Sequence, residues 1–319
     1  MVISPLELVA LVVPWYALSM GYNVYNQLMK PDMPFSLVIS FVQLPVGLPY
    51  ALGLWVLGYR KWPKLTFADV VKILPIVFFN MVGHVATVVA MFQVGGGSAT
   101  HVVKASEPVV VVLLNAVINR VLPKPLTALS LLPIVYGVSY AATLGNLSVE
   151  TMSKDLTTVS AKLGLVSNLA FALRSVLRKR LDADFKKRTN MDSDNEFAVT
   201  TIMTIFLVLP FCILGTGNKD AMSDIFAHYD KLGALRANNF LLNTALCGAC
   251  FYLYNELQSK VLEKTDAVTM AVGNTLKRVA IFVGFWFFNN EAFPPAKTLG
   301  CMIAVVGCLA YGVFDSKKL

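Results

Sequence analysis

The feature that most constrains the fold is a series of long apolar stretches that recurs along nearly the whole chain. A helix of about 20 apolar residues crosses a lipid hydrocarbon core, and it satisfies its own backbone hydrogen bonds there. With 56% hydrophobic and 14% charged residues, the chain is not an ordinary soluble domain. We therefore predict an all-α polytopic membrane protein with ten transmembrane helices, at residues 6–28, 34–58, 69–93, 98–119, 126–144, 158–178, 197–216, 238–261, 265–289 and 298–315.

The basic residues, which give a formal charge of +8, are distributed unevenly between the two sides of this predicted bundle. An even number of spans places both termini on one side, and more than twice as many Lys and Arg residues flank that side as the other. Because positive loops favour the cytoplasm-like compartment, we expect both termini there. Basic and aromatic residues are not interleaved on any segment long enough to be a soluble domain, so we expect no nucleic-acid partner.

Four basic residues inside predicted spans belong to neither flanking group: Lys104, Arg174, Lys277 and Arg278. A basic side chain near the bilayer centre costs roughly 2.5 to 3.5 kcal/mol, so it persists facing a polar interior, a partner or a substrate. Pairing with intramembrane acids or snorkelling to the surface are the alternatives, but Glu107 is the one obvious acid of the fourth span. A phosphate monoester, with about −1.5 to −2 charges, suits a mixed Lys and Arg clamp.

A weak internal repeat supports a common location for these charges. An offset of 171 residues aligns Pro123 with Pro294, Tyr140 with Tyr311, and Glu107 with Arg278. Two halves of five spans each, 1–150 and 151–319, would insert with opposite orientations, because five is odd. Secondary transporters with such inverted repeats bind substrate near the bilayer midplane, between the halves.

Pro108 lies four residues after Lys104 in the fourth span. Proline has no amide hydrogen, so it leaves the Lys104 carbonyl without its helical donor and predicts a kink at this point. An ordinary membrane-helix kink is the alternative interpretation. In the ninth span, Asn274 precedes Lys277 and Arg278 by three and four residues, which is the spacing of a shared helix face.

Several fragments, in this order along the chain, resemble the plastidic phosphate translocators of the drug/metabolite transporter superfamily. They are GHV at 83–85, THVVKASEP at 100–108, FALR at 171–174, YNE at 254–256 and VGNTLKRV at 272–279. The resemblance extends over essentially the whole chain. It implies ten helices in two inverted five-helix repeats and strict exchange of inorganic phosphate against a phosphorylated organic compound.

The resemblance also implies roles for individual residues. Lys104, Lys277 and Arg278 would hold the phosphate. The organic part would be bound by four further residues, each of which has a purely structural alternative as a core, packing or interfacial side chain: His84, Thr87, Phe171 and Tyr254. Arg174 and Glu107 would either touch the substrate or form a gating or structural ion pair.

We therefore predict a secondary antiporter that exchanges inorganic phosphate for a phosphorylated C3 compound, triose phosphate or 3-phosphoglycerate, by alternating access. The alternatives are exchange of phosphoenolpyruvate, of pentose or hexose phosphates, or of nucleotide sugars. A membrane enzyme acting on phosphorylated lipids is a further alternative, but the sequence has no paired membrane acids, metal set or nucleophile motif. A receptor or scaffold that transports nothing is also disfavoured, because such a protein would have no reason to maintain costly buried cations.

We expect no cofactor and no metal, and the five cysteines lie in apolar stretches, as buried thiols do. The expected partners are inorganic phosphate, small organic phosphates and membrane lipid, and a monomer would suffice. The first predicted span begins about five residues into the chain, so we expect no transit peptide before it. Location in the plastid inner envelope, with both termini in the stroma, is implied by the resemblance alone.

Overall fold

A computed structural model of the protein describes residues 5–32, 35–93, 103–120, 122–143, 159–214, 222–289 and 294–315. Within these ranges the regular structure is entirely helical, which confirms the all-α prediction. The α-helices with both ends described are α1 Pro5–Met29, α2 Ser36–Val42, α3 Leu48–Val56, α4 Phe67–Phe92, α5 Glu107–Asn119, α6 Pro125–Leu129, α7 Leu131–Ala142, α8 Val159–Lys179, α9 Ala183–Thr189, α10 Ser193–Leu214, α11 Met222–Tyr229, α12 Ala234–Lys264, α13 Ala267–Asn289 and α14 Pro295–Asp315.

Six helical segments in the described part of the chain are long and apolar enough to cross a membrane. They are Leu6–Met29, Ser36–Val56, Phe67–Phe92, Ser193–Leu214, Ala267–Phe288 and Pro295–Phe314. The apolar segments Glu107–Asn119 and Pro125–Ala141 are shorter, while α8 and α12 are long but more polar. The polarity of α8 and α12 has a local cause, because both carry polar residues that line an internal cavity.

Two of the predicted spans are interrupted in the structure. The second changes from α2 to α3 through a 3-10 turn at Pro45–Gly47, where Pro45 has no amide to continue the α-helical ladder. In the fourth, residues 103–105 are helical, Ser106 is a turn and α5 begins at Glu107. This break lies next to Pro108, as predicted, and residues 98–102 of that span lie outside the described ranges.

Three helix pairs make the most extensive contacts: α1 with α12, α4 with α8, and α7 with α14. The α7–α14 pair approaches at backbone distance because both helices present glycine. A Cβ added to Gly137 would lie 2.4 Å from the Ala304 nitrogen, and one added to Gly300 would lie 2.5 Å from the Ala141 nitrogen. Small residues allow this close approach in membrane bundles, where van der Waals contact replaces the hydrophobic effect between helices.

Ion pairs link the helices on the side of the bundle where α12 ends. Glu256 of α12 accepts two hydrogen bonds from Arg60, which follows α3, and the N–O distances are 3.0 and 2.6 Å. Arg178 of α8 pairs with the buried Glu196 of α10 and donates to Ser259 of α12 at 3.1 Å. These contacts connect four segments on one side of the protein.

The start of α4 is fixed on the same side. Thr66 and Asp69 form a capping box, in which each side chain accepts a hydrogen bond from the other residue's backbone amide. Near it, the exposed Asp182 accepts a hydrogen bond from Lys72 at 2.8 Å and another from the Phe185 amide. These two hydrogen bonds lower the pKa of the Asp182 carboxyl.

Candidate substrate-binding cavity

All nine residues singled out in the sequence line one cavity of about 90 Å³ between the helices. They are His84 and Thr87 of α4, Lys104 and Glu107 beside the helix break, Phe171 and Arg174 of α8, Tyr254 of α12, and Lys277 and Arg278 of α13. The side chains therefore converge from both halves of the chain. This convergence excludes the alternative in which the four intramembrane cations snorkel separately toward the surfaces.

The Lys104 ammonium is held by two hydroxyl groups. Its Nζ donates to Thr87 Oγ1 at 2.7 Å and to Ser167 Oγ at 3.0 Å, and it lies 5.3 Å from the Phe171 ring centroid. Both hydroxyls also contact the Gly83 carbonyl oxygen, at 2.8 and 3.0 Å. Lys104 is thus positioned by α4 and α8, although it belongs to neither helix.

Arg278 contacts the break in the fourth span directly. Its Nη2 donates to the Lys104 carbonyl oxygen at 3.0 Å, the carbonyl that Pro108 leaves without a backbone donor. The same nitrogen lies 3.6 Å from Glu107 Oε2, and Asn274 donates to Glu107 Oε1 at 2.9 Å. The buried Arg278 Nε has no hydrogen-bond partner among the described residues.

Lys277 is placed between aromatic rings. Its Nζ lies 4.9 Å from the ring centroid of Tyr254 and 5.4 Å from that of Trp15. A cation against aromatic faces is attracted by the ring quadrupoles without forming a directional hydrogen bond. Within the part of the chain that the structure describes the ammonium makes no hydrogen bond, so its N–H donors are available to a ligand in the cavity.

Arg174 lies on another wall of the cavity. Its Nη1 donates to Asn80 Oδ1 at 2.6 Å, and its guanidinium carbon lies 5.0 Å from the Phe171 ring centroid. The buried Nε is unpaired within the described part of the chain. The sequence left open an ion pair between Arg174 and Glu107, but the basic residue that contacts Glu107 here is Arg278.

His84 and Tyr254 complete an aromatic wall with Phe251. The His84 Nε2 lies 2.7 Å from the Ser40 carbonyl oxygen, so Nε2 carries the proton and donates this hydrogen bond. The His84 ring centroid lies 4.7 Å from that of Phe251, which in turn lies 5.8 Å from that of Tyr254. His84 is therefore oriented by α2, which carries Ser40, as well as by its neighbours in the cavity.

The charges that line this cavity do not balance. Among the lining residues that the structure describes, four basic side chains face one carboxylate, that of Glu107, which leaves a formal excess of three positive charges. Unpaired charges shielded from water are costly, and an anion with several acceptor oxygens would reduce that cost. The cavity is therefore suited to a small, multiply charged anion.

Comparison with known proteins agrees with this chemistry. The sequence model described as the Triose-phosphate Transporter family matches residues 6–312. The chain belongs to this family. Among curated members, a phosphoenolpyruvate/phosphate translocator 1, chloroplastic, of Oryza sativa subsp. japonica is 30% identical over 98% of this chain and 73% of its own length. A chloroplastic triose phosphate/phosphate translocator of Brassica oleracea var. botrytis is 32% identical over 96% of this chain and 71% of its own length.

A solved crystal structure also resembles this member of the Triose-phosphate Transporter family in fold. The two structures align with a TM-score of 0.61 and cover 97% of both chains, at 14% sequence identity. At this identity the likeness concerns the fold alone. It supports the overall arrangement of helices that brings the two halves of the chain together around the cavity.

Several residues that support the site were not identified from the sequence. Ser167 holds Lys104 and Asn80 holds Arg174. Asn274, which the sequence placed on the face of Lys277 and Arg278, holds Glu107. Two adjacent polar residues in an otherwise apolar stretch, Ser167 and Asn168, were a usable sequence signal for a polar interior. Both side chains are buried in the structure. Trp15 gave none, because an aromatic residue in the first span is indistinguishable from a core or lipid-facing residue.

Proposed function

We propose that this chain is a secondary antiporter that exchanges inorganic phosphate for a phosphorylated C3 compound, triose phosphate or 3-phosphoglycerate. The observation that carries the proposal is the convergence of Lys104, Lys277 and Arg278 on a cavity with one carboxylate. Family membership supports exchange of phosphorylated compounds in general. The C3 size is supported by the Brassica relative, whose name specifies triose phosphate.

Lys104, Lys277 and Arg278 would form the phosphate clamp. Arg278 offers a planar fork whose Nε is unpaired, and Lys277 offers an ammonium group resting on aromatic rings. A phosphate dianion provides acceptors for both, whereas a neutral sugar would leave the charges uncompensated. The organic part would then lie against His84, Thr87, Phe171 and Tyr254, with Arg174 able to reach a second anionic group.

Two inverted repeats of five membrane spans, 1–150 and 151–319, would explain the pattern of helix contacts. Numbering the ten predicted spans in order, the most extensive pairs are 1 with 8, 3 with 6, and 5 with 10. Exchanging the halves converts the first pair into the second and leaves the third unchanged. Glu107 and Arg278, which the 171-residue offset aligns, lie 3.6 Å apart, as residues beside a pseudo-twofold axis would.

Alternating access would follow from the uncompensated charge. Closing both sides around an empty cavity would leave the cations desolvated, at a cost of several kcal/mol per ion. Closing around a bound phosphate group removes much of that cost, so the carrier would reorient when loaded. One-for-one exchange then results without coupling to protons or to ATP hydrolysis, and a monomer suffices.

The direct test is counter-exchange by purified protein in liposomes. Liposomes loaded with phosphate should take up labelled triose phosphate, 3-phosphoglycerate and phosphate. Liposomes loaded with buffer that contains no phosphate compound should take up little. Rapid uptake without an internal phosphate compound would contradict antiport. A panel that adds phosphoenolpyruvate, pentose phosphate and hexose phosphate ranks the alternative substrates.

Two other functions are separated by the same preparation. A nucleotide-sugar exchanger would show competition by nucleotides against phosphate uptake. An enzyme acting on phosphorylated lipids would release phosphate from lipid substrate in detergent, where transport cannot be measured. The curated relatives named above are translocators, which supports a transporter over an enzyme.

The plastid inner envelope is the proposed location, with both termini in the stroma. Support comes from the relatives' names, both of which include the word chloroplastic, and from the excess of basic residues on the terminal side. Proteolysis of sealed plastid envelopes at engineered sites in the 180–190 segment tests the orientation. Cleavage from the stromal side alone is the expected result.

A further inference from the structure

One amide in the cavity wall differs from the others in having no partner. Gln258 lines the cavity and is 8% exposed, and its side chain makes no hydrogen bond within the part of the chain that the structure describes. The amides of Asn80, Asn255 and Asn274, which line the same cavity, donate to Thr204, Phe251 and Glu107 respectively. Because Gln258 lines the cavity, its unpartnered amide is available to hydrogen-bond a group of a bound ligand.

The position of Gln258 places it within reach of the organic part of a substrate whose phosphate is held by the cations. It lies four residues after Tyr254 on α12, which corresponds to a displacement of about 6 Å along the same helix face. The Tyr254 ring contacts Lys277, so Gln258 lies one turn beyond the aromatic contact of the cation clamp. The next residue, Ser259, does not line the cavity and accepts a hydrogen bond from Arg178.

We propose that Gln258 is a specificity residue that hydrogen-bonds oxygen atoms at the end of the organic substrate remote from its phosphate. The inference rests on the proposed function and extends it. A carboxamide has both donors and an acceptor, so it can bind a hydroxyl, carbonyl or carboxylate oxygen. Inorganic phosphate held by the cations has no chain that extends one helical turn further, so it gains nothing from this amide.

The first test compares Gln258→Leu with the wild type in liposome exchange. Losing one hydrogen bond to substrate should raise the KM for triose phosphate and 3-phosphoglycerate about three- to tenfold. The KM for phosphate in phosphate–phosphate exchange should stay unchanged, which also establishes that the variant folds. Gln27→Leu, the same chemical change on α1 away from the cavity lining, is the matched control and should match the wild type.

The second test uses Gln258→Glu. A carboxylate at this position keeps an acceptor but repels an anionic end group, so 3-phosphoglycerate should lose more affinity than triose phosphate. Equal KM changes for the two compounds in Gln258→Glu would contradict the proposed contact. A loss of phosphate exchange in Gln258→Leu that parallels the loss of organic substrate exchange would contradict it as well. If the wild type exchanges phosphate but neither variant changes organic specificity, the inference fails while the proposed function stands. If the wild type exchanges no phosphate compound, the proposed function itself fails.

Discussion

Arg278 Nη2 donates a hydrogen bond to the backbone carbonyl oxygen of Lys104 at 3.0 Å. This carbonyl is available because the residue four positions later is Pro108, which cannot donate the helical hydrogen bond. A side chain from the second half of the chain therefore donates to a backbone carbonyl of the first half that has no helical donor. The same contact brings two cations of the candidate phosphate clamp together, so the helix break and the site have a common structural origin.

Pro108→Ala should weaken phosphate binding. The restored amide would compete with Arg278 for the Lys104 carbonyl, and we expect the KM for phosphate to rise about three- to tenfold, as for one lost hydrogen bond. The melting temperature in detergent should change little, because Pro108 lies in the first turn of α5, where proline is tolerated. Pro75→Ala, at an exposed proline inside α4 and outside the cavity lining, is the control. An unchanged KM in Pro108→Ala would contradict this relationship.

Ser167→Ala should impair exchange by releasing the Lys104 ammonium. The hydroxyl accepts a charged hydrogen bond from Lys104 at 3.0 Å, and its loss should raise the phosphate KM by about tenfold. Ser139→Ala provides a control at a buried serine of α7 that does not line the cavity. If both variants exchange phosphate equally well, Ser167 does not position Lys104 for substrate.

Gly300→Ala should destabilise the protein through the α7–α14 contact. The added methyl group would lie 2.5 Å from the Ala141 nitrogen and 2.6 Å from the Gly137 oxygen, so the helices must separate. Overpacking of this kind costs about 1–3 kcal/mol or more, and we expect a clear fall in Tm in detergent. Gly53→Ala has open space around the new methyl group and should keep or raise Tm. Equal melting temperatures for the two variants would exclude the close packing.

Glu196→Gln should destabilise the protein more than a comparable change at the surface. Arg178 would remain buried without its carboxylate partner, a loss that typically costs about 3–5 kcal/mol. Asp182→Asn removes a carboxylate paired with Lys72 at an exposed position and should leave Tm nearly unchanged. The comparison of the two melting curves decides the prediction, and a similar small effect in both would show that the buried pair is dispensable.

The all-helical architecture could be predicted from sequence because apolar length is a strong signal for membrane helices, and six of the ten predicted spans correspond to described helices that are long and apolar enough to cross a membrane. The break at Ser106 was also predictable, since Pro108 lacks an amide hydrogen. The division of the second span by Pro45 was not predicted, because a proline at that position is equally compatible with a kink. The bounds of α12 extend beyond the predicted span at both ends, into polar residues that hydropathy does not assign to a membrane helix.

The charged members of the candidate site could be predicted because a cation within an apolar stretch is costly unless it faces a polar interior, a partner or a substrate. Their supporting residues could not. Ser167, Asn80 and Gln258 are ordinary polar residues in a sequence, and their significance depends on which helix faces meet across the two halves of the chain. Those pairings come from tertiary packing between residues up to about a hundred positions apart, as between Asn80 and Arg174.

The most direct test of the account is phosphate–phosphate exchange by variants that neutralise the clamp. Lys104→Gln, Lys277→Gln and Arg278→Gln should each reduce the exchange rate at low phosphate by about a hundredfold, while Lys231→Gln, at an exposed position outside the cavity, should match the wild type. Near-normal exchange by the three cavity variants, measured at equal amounts of folded protein, would contradict the conclusion that these cations bind the transported phosphate.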